Sequence, residues 1–415
     1  MFDLDRIEEI WETITRNKVR SLLTGFGVFW GIFMLTVMMG AGQGLQRGVS
    51  KGLEGFATNS CFIGSAITGK PYEGFQRGRR WHIKNSDVDM LQYAVPNLSI
   101  ISPVLFRQNV AVNFEGKGGQ FNVRGLHSNY RHIENPFIVQ GRFFNEIDLT
   151  RKRKVCIIGT KVYEEMFPAS LSPIGRYLQI GGVYYQVVGV VAGVSNISIN
   201  GQMSEAVLLP FTTMQQVMNL SENIHMIAAT AKAGTSASKV EAKIKELLKR
   251  NNHIAPDDNK ALWSVNAEEQ FNLFQNLFAG LEILIWIVGS GTLIAGIVGV
   301  SNIMLVTVKE RTREIGVRRA IGARPGAIIS QVMAESLMLT GISGMLGLSV
   351  GILFLHVADT SFLQKAENIY LYRPMITFGA AVRSIIVLLL CGLTAGAIPT
   401  LRALKIKAID AIREE

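Results

Sequence analysis

Residues 308–326 read VKERTREIGVRRAIGARPG and place six bases and two acids between two long apolar runs. Glu314 precedes Arg318 by four residues, an order that stabilises a helix, and Arg311 lies three residues before Glu314. A loop that only sets membrane orientation needs bases at no particular spacing. The spacing here therefore favours a short charged helix that docks on a partner.

The ends of this helix are also marked. Gly322 can cap its carboxyl end, and Pro325 can occupy the first turn of the helix that follows. Within the helix, a small apolar strip is expected from three side chains, namely Ile315, Ala320 and Ile321.

The apolar runs predict four transmembrane helices. The chain has 415 residues, of which 48% are hydrophobic, and this composition suits a few spans joined to a sizeable water-exposed domain. Each run is long enough for a hydrocarbon core of about 30 Å. The first exceeds the core of a cleaved signal peptide. The four runs lie at residues 22–41, 283–308, 327–357 and 376–398.

Lysine and arginine predict the orientation of the spans. Bases are dense before the first run, within residues 308–326 and after the last run, and sparse between the third and fourth. The positive-inside rule therefore places both termini and the charged segment in the cytoplasm. The net charge of +10 is explained by these flanks. No nucleic-acid-binding motif is present, so we expect no nucleic-acid partner.

Residues 59–266 are expected to form one large extracytoplasmic α+β domain, inserted between the first and second spans. Segments 59–112 and 221–266 each show a strand, helix, strand pattern and together predict one subdomain. Segment 113–220 is mostly short strands and predicts a second, inserted subdomain. The predicted fold is thus four membrane helices with a two-part outer domain.

The remaining boundaries follow from periodicity. Residues 1–18 are amphipathic and predict a helix on the inner membrane surface, although a soluble helix packed on a partner has the same pattern. Helical period continues beyond two of the spans and predicts a stalk. The segments are 19–58 (first span and stalk), 267–308 (stalk and second span), 309–324 (coupling helix), 325–357 (third span), 358–375 (outer loop), 376–398 (fourth span) and 399–415 (cytoplasmic tail).

One segment resembles a nucleotide-binding loop. Residues 64–70 read GSAITGK, but the next residue is Pro71, which lacks the hydroxyl that binds magnesium. No catalytic group or metal-ligand spacing is present elsewhere in the sequence. We therefore expect a non-catalytic chain that binds neither cofactor nor metal.

Two further sets of residues concern packing. Gly-x-x-x-Gly pairs in three spans predict a closely packed bundle. Their six glycines are Gly27, Gly31, Gly347, Gly351, Gly392 and Gly396. Glu335 and Arg383 are charged residues within spans, for which snorkelling to the membrane surface or pairing with a neighbour is favoured over a proton relay. Cys61 and Cys156 both lie outside the membrane, and whether they form a disulfide stays open.

The segments described above resemble those of a known family. Residues 308–337, with the first span NKVRSLLTGFGVFWGIF, are similar to the FtsX-like permeases of the macrolide-exporter (MacB) type of ABC transporter. GRFFNEIDLTRKRKVCIIG and PIGRYLQIGGVYYQVVGVV resemble the outer domain of that type. The C-terminal end departs from the family pattern, with Lys407 and Ala408 in place of an Asp-Pro pair.

This resemblance implies a permease in the bacterial inner membrane that works as a dimer, with a second copy or a paralogue. It implies that a separate ABC ATPase binds ATP and magnesium, and that movement of the outer domain exports or releases a substrate. A periplasmic adaptor and an outer-membrane channel are further expected partners. The ATPase-coupling residues expected from it are Glu310, Arg311, Arg313, Glu314, Ile315, Gly316, Arg318, Arg319, Ala320 and Gly322.

Two other functions fit the same sequence. An FtsX-like regulator would use the ATPase contact to control a cell-wall hydrolase or a sensor kinase. A lipoprotein-releasing permease would act on a lipid-linked cargo. The sequence does not identify the substrate.

Overall fold

The computed structural model describes residues 18–53, 55–168, 170–193, 201–363 and 373–404. The chain divides into a membrane unit, Met1–Val49 with Asn276–Glu415, and an outer unit, Ser50–Gln275. The predicted surface helix at residues 1–18 lies almost wholly outside the described residues. So do half of the loop at 358–375, namely residues 364–372, and the end of the tail at 399–415.

Ten α-helices lie in the described part of the chain. In order they are α1 (Lys18–Leu53), α2 (Asn85–Ala94), α3 (Glu146–Thr150), α4 (Thr160–Met166), α5 (Phe211–Val217), α6 (Ala237–Asn251), α7 (Ala267–Glu310), α8 (Thr312–Ala320), α9 (Pro325–Ala358) and α10 (Phe378–Leu404). Short 3-10 helices occur at Ser128–His132 and Met203–Glu205, and a π-helix at Asp359–Leu363.

Twelve strands accompany them in the same described ranges. They are β1 (Ser60–Ser65), β2 (Ile83–Lys84), β3 (Leu98–Phe114), β4 (Lys117–Leu126), β5 (Phe137–Gly141), β6 (Val155–Gly159), β7 (Tyr177–Ile180), β8 (Val183–Ala192), β9 (Ala206–Pro210), β10 (Asn223–Ile224), β11 (Met226–Ala231) and β12 (Leu262–Asn266).

Four helices, α1, α7, α9 and α10, are long and apolar enough to cross a membrane, which confirms the predicted number of spans. α1 and α7 both extend beyond the apolar runs at residues 22–41 and 283–308, as the helical period predicts. α9 begins at Pro325, whose fixed backbone angle suits the first helical position.

The outer unit is built on a ten-stranded sheet with the order β12-β1-β11-β3-β4-β9-β6-β8-β5, in which β7 pairs with β3 and β8. Most pairs are antiparallel, whereas β4–β9 and β6–β8 are parallel. The tight β3–β4 turn is formed by Glu115 and Gly116, both with positive φ. β2 and β10 form a separate pair.

The sheet separates two cores because side chains alternate along each strand. On β1, Cys61 and Ile63 lie in the larger core, which α2, α4, α5 and α6 cover. Phe62 points to the opposite face, where Tyr130 and Ile133 cover a smaller core. Strands from both predicted subdomains belong to this one sheet.

The start of α7 is fastened to α6 within the outer unit. Asn266 caps α7 by accepting hydrogen bonds from the backbone N–H groups of Glu268 and Glu269, at 3.0 and 3.2 Å. The Glu268 carboxylate accepts hydrogen bonds from the Ser236 hydroxyl at 3.1 Å and the Ala237 backbone N–H. The first turn of α7 therefore supplies an acceptor for the free N–H group at the start of α6.

Candidate functional site

The charged segment forms α8, which is separated from α7 by Arg311 alone. The helical hydrogen bonding continues through this point, because the Arg311 N–H donates to Thr307 and the Ile315 N–H donates to Arg311. At the other end Gly322 has a φ of +97°, which a residue with a side chain adopts only with strain. α8 is therefore a short helix with defined ends between α7 and α9.

One face of α8 contacts α9 through polar side chains. The Arg311 Nη1 donates to Glu335 Oε1 at 2.9 Å, and the Arg318 Nη1 donates to Gln331 Oε1, also at 2.9 Å. Ile315, half-buried, lies between these contacts and packs against the core of the membrane unit. A cavity of about 30 Å³, the size of one water molecule, lies among these side chains.

α8 is also tied to α10. The Arg319 Nη1 donates to the backbone carbonyl of Leu404 at 2.9 Å, at the end of α10. A cation at the carboxyl end of a helix satisfies a free carbonyl and complements the helix dipole. Glu314 pairs with Arg318 at 3.0 Å and lies 3.9 Å from Arg311. Three of the predicted coupling arginines are thus engaged within the permease itself.

The opposite face of α8 and the residues after it are exposed. Arg313 is exposed, Val317 is 41% exposed and Ile321 is 83% exposed. They recur at steps of four and therefore lie along one side of the helix. We call Arg313, Val317 and Ile321 the exposed strip. Two of these three are aliphatic, which is unusual for an exposed face of a charged helix.

The predicted apolar strip of Ile315, Ala320 and Ile321 is wrong. Five or six residues along a helix turn the chain by about 140° or 240° relative to the start, so Ile315 faces inward while the other two face outward. Val317 and Gln331 also belong to this site, although neither is among the predicted coupling residues. Val317 could have been found from its step of four to Ile321.

The other predicted coupling residues differ in their exposure. Gly316 is buried, whereas Ala320 and Gly322 are exposed. Glu310 ends α7 and is also exposed.

The six predicted packing glycines all lie at helix contacts. A Cβ on Gly27 would lie 3.1 Å from Gly296 of α7, and one on Gly31 would lie 3.1 Å from Leu293. On Gly347 it would lie 2.5 Å from the Phe29 carbonyl of α1. Gly351 in the same way faces Thr36 of α1, and Gly392 and Gly396 face Thr340 and Ser336 of α9. Glycine here permits close approach of backbones.

The segment that resembles a nucleotide loop already binds an anion. The buried Asp258 carboxylate accepts hydrogen bonds from the backbone N–H groups of Gly69, Lys70 and Lys260, at 2.7, 3.1 and 3.0 Å. Burial alone would raise the pKa of Asp258, but these donors outweigh it and lower the pKa. The glycine-rich turn therefore holds a carboxylate of the chain itself.

The described residues contain no group of three His, Cys, Asp or Glu side chains that could hold a metal. Cys61, Cys156 and Cys391 are buried free thiols. Cys61 lies on β1 and Cys156 on β6, which are five strands apart in the sheet. At about 4.8 Å per strand this is roughly 24 Å, too far for a disulfide. Burial raises the pKa of the Cys61 thiol to about 12.

The two charged residues within spans both have partners. Glu335 pairs with Arg311, as described, and Arg383 lies 3.6 Å from Glu282. Pairing with a neighbour is thereby confirmed for both.

Comparison with known families gives two matches in chain order. Residues 21–247 match the MacB-like periplasmic core domain, and residues 286–408 match the FtsX-like permease C-terminal region.

Curated relatives match nearly the whole chain. The chain is 29% identical over 417 residues to the pyoverdine export ATP-binding/permease protein PvdT of Pseudomonas putida. This match covers 99% of this chain and 60% of that protein. It is 25% identical over 415 residues to the macrolide export ATP-binding/permease protein MacB of Bdellovibrio bacteriovorus, covering 99% and 62%. The chain thus spans about three-fifths of the length of these relatives.

Among solved structures, the periplasmic region of MacB from Actinobacillus actinomycetemcomitans is 19% identical, with a TM-score of 0.43. That match covers 54% of this chain and 96% of the other.

Proposed function

The chain belongs to the MacB-type, FtsX-like permease family, and on this premise we propose that it is the permease subunit of a MacB-type export ABC transporter. It is a multi-pass membrane protein with an extracytoplasmic domain. The observation that carries the proposal is the succession of the two family matches, which cover the first span with the outer unit and then the remaining spans. The relatives named above are export proteins by name.

In this proposal a separate cytoplasmic ABC ATPase binds ATP and magnesium and docks on α8. The chain lies in the bacterial inner membrane with both termini in the cytoplasm, and it pairs with a second permease. A periplasmic adaptor and an outer-membrane channel receive the substrate. ATP-driven movement of α8 passes through the membrane helices to the outer unit, which expels the substrate by mechanotransmission.

The exposed strip supports α8 as the docking element. Val317 and Ile321 leave aliphatic surface in contact with solvent, whereas Arg311, Arg318 and Arg319 already have partners within the permease. Burial of one aliphatic side chain contributes about 1.5–3 kcal/mol. We therefore place the main hydrophobic contact with the ATPase at Val317 and Ile321, with Arg313 adding charge.

Affinity purification of the tagged chain from its own cells tests this function. We expect an ABC ATPase and vanadate-sensitive ATP hydrolysis to co-purify with the wild type. Val317→Asp and Ile321→Asp should each weaken ATPase binding about tenfold or more, because about 1.4 kcal/mol corresponds to a factor of ten.

Tyr93→Asp is the matched control, since Tyr93 is 89% exposed on the outer unit, and it should bind the ATPase normally. Absence of any ATPase from the wild-type preparation would contradict the proposal. Recovery of a cell-wall hydrolase or a sensor kinase with the outer unit would support the regulatory alternative instead.

A further inference from the structure

Glu335 is a carboxylate in a costly position. It lies in the apolar helix α9 and is only 6% exposed. An ionised acid in such a place is destabilising unless it is paired and hydrogen-bonded. Arg311, at the junction of α7 and α8, supplies that pairing at 2.9 Å.

The pair is part of a longer contact between two helices. Gln331 lies one turn before Glu335 on α9, and it accepts a hydrogen bond from Arg318 of α8. Arg311 and Arg318 are seven residues apart and so lie on the same side of α8. Ile315 fills the space between them and packs on the core of the membrane unit. The contact therefore has polar ends and an apolar centre.

The two sides of α8 consequently have different surroundings. Arg311, Ile315 and Arg318 face α9, while the exposed strip faces away from it. A force applied to the exposed strip would displace α8, and a fixed α8–α9 contact would carry that displacement into α9.

We propose that Glu335 is a positioning residue that, by binding Arg311, fixes α8 to α9, so that movement imposed on α8 moves α9. This inference rests on the proposed function, because it takes an ATPase as the source of that movement. Glu335 does not itself contact the ATPase. Loss of Glu335 should leave ATPase docking on α8 intact, but movement of α8 should no longer move α9.

The test measures docking and movement separately in the purified permease–ATPase complex in lipid nanodiscs. Val357, 48% exposed near the outer end of α9, is replaced by cysteine as a label site, which is practical because all three native cysteines are buried. In the otherwise wild-type protein we expect vanadate trapping of nucleotide to change the maleimide labelling rate of this cysteine several-fold.

Glu335→Gln keeps the shape of the side chain and removes its charge. We expect this variant to bind the ATPase within about twofold of wild type and to lose the nucleotide-dependent change in labelling. Arg311→Gln should do the same, and the double variant should be no worse than either single variant, because both remove one interaction. Independent structural damage would instead add up.

Arg383→Gln is the control, because it breaks a different ion pair of the membrane unit, with Glu282, and should leave the labelling response unchanged. Gel filtration and thermal unfolding report whether each variant is folded. If Glu335→Gln does not fold, the Arg311→Gln variant decides the question, and Glu335→Asp, which keeps the charge, should retain part of the response.

The outcomes separate the two hypotheses. If no ATPase binds to the wild type, the proposed function fails and this inference fails with it. If the ATPase binds but labelling at position 357 ignores nucleotide, or if Glu335→Gln responds like wild type, only the positioning role of Glu335 is overturned.

Discussion

At the scale of single residues, the outer unit depends on a buried ion pair. The Arg124 guanidinium is fully buried and donates to Glu134 at 2.9 Å and to the Tyr130 hydroxyl at 2.8 Å. Burial opposes the charge on Arg124, but Glu134 and Tyr130 outweigh it and raise the pKa of the guanidinium. Arg124 lies on β4, Tyr130 lies in the 3-10 helix Ser128–His132, and Glu134 follows that helix by two residues. The cluster therefore joins the strand to this helix.

Arg124→Met should destabilise the outer unit by about 3–5 kcal/mol, because it leaves the Glu134 carboxylate buried without a countercharge, with the Tyr130 hydroxyl as its remaining donor. Hydrogen exchange of peptides from β4, measured on the full chain, would report the loss. Adding Glu134→Gln should recover most of it. Lys161→Met, which removes an exposed pair with Glu205, should have a much smaller effect, because solvent screens that pair. Equal effects of both substitutions would contradict this account.

Asp148 predicts a dependence of stability on pH. Burial raises its pKa, but hydrogen bonds from Arg142 and the Asn145 N–H, together with Arg153, lower it below the usual value. A lowered folded-state pKa contributes stability that is present above the unfolded value of about 3.9 and is lost as pH falls through the folded value. Asp148→Asn should therefore be less stable than wild type at pH 7, and the difference should shrink below about pH 4. Thermal unfolding of both proteins at several pH values measures this difference in stability. A difference that stays constant with pH would contradict the role assigned to Asp148.

At the scale of elements, the close contact of α1 with α9 sets a limit on side-chain size. A Cβ at Gly347 would lie 2.5 Å from the carbonyl oxygen of Phe29, so backbone would have to move. We expect Gly347→Leu to lower stability by at least the about 1–3 kcal/mol typical of overpacking. Gly341→Leu on the same helix is the control, because nothing lies within 4 Å of its Cβ position. Thermal unfolding in detergent would distinguish the two, and equal midpoints would count against this packing.

The elements also show what the sequence can predict. The structure has a helix in each of the two segments with a strand, helix, strand pattern, at Asn85–Ala94 and at Ala237–Asn251, since helical period is a local signal. The Arg311–Glu335 pair joins residues 24 positions apart on different helices, so spacing within α8 carries no signal for it. The parallel pairing of β4 with β9 is likewise non-local. Ile315 does not share a face with Ala320 and Ile321, because five or six residues turn the helix by about 140° or 240°.

At the scale of the whole molecule, the proposed topology places α8 in the cytoplasm and α2 outside. With cysteine at one site at a time, Tyr93→Cys should react with a membrane-impermeant maleimide in intact spheroplasts. Arg313→Cys should react only after permeabilisation. The wild-type chain gives the background, because its three cysteines are buried. Reaction of the position 313 cysteine in intact spheroplasts would reverse the topology and remove the basis for ATPase docking.

The wide separation of Cys61 and Cys156 has a consequence for the life of the protein in its cell. Because Cys61 and Cys156 lie too far apart to be joined, we expect the outer unit to fold without oxidation of either thiol.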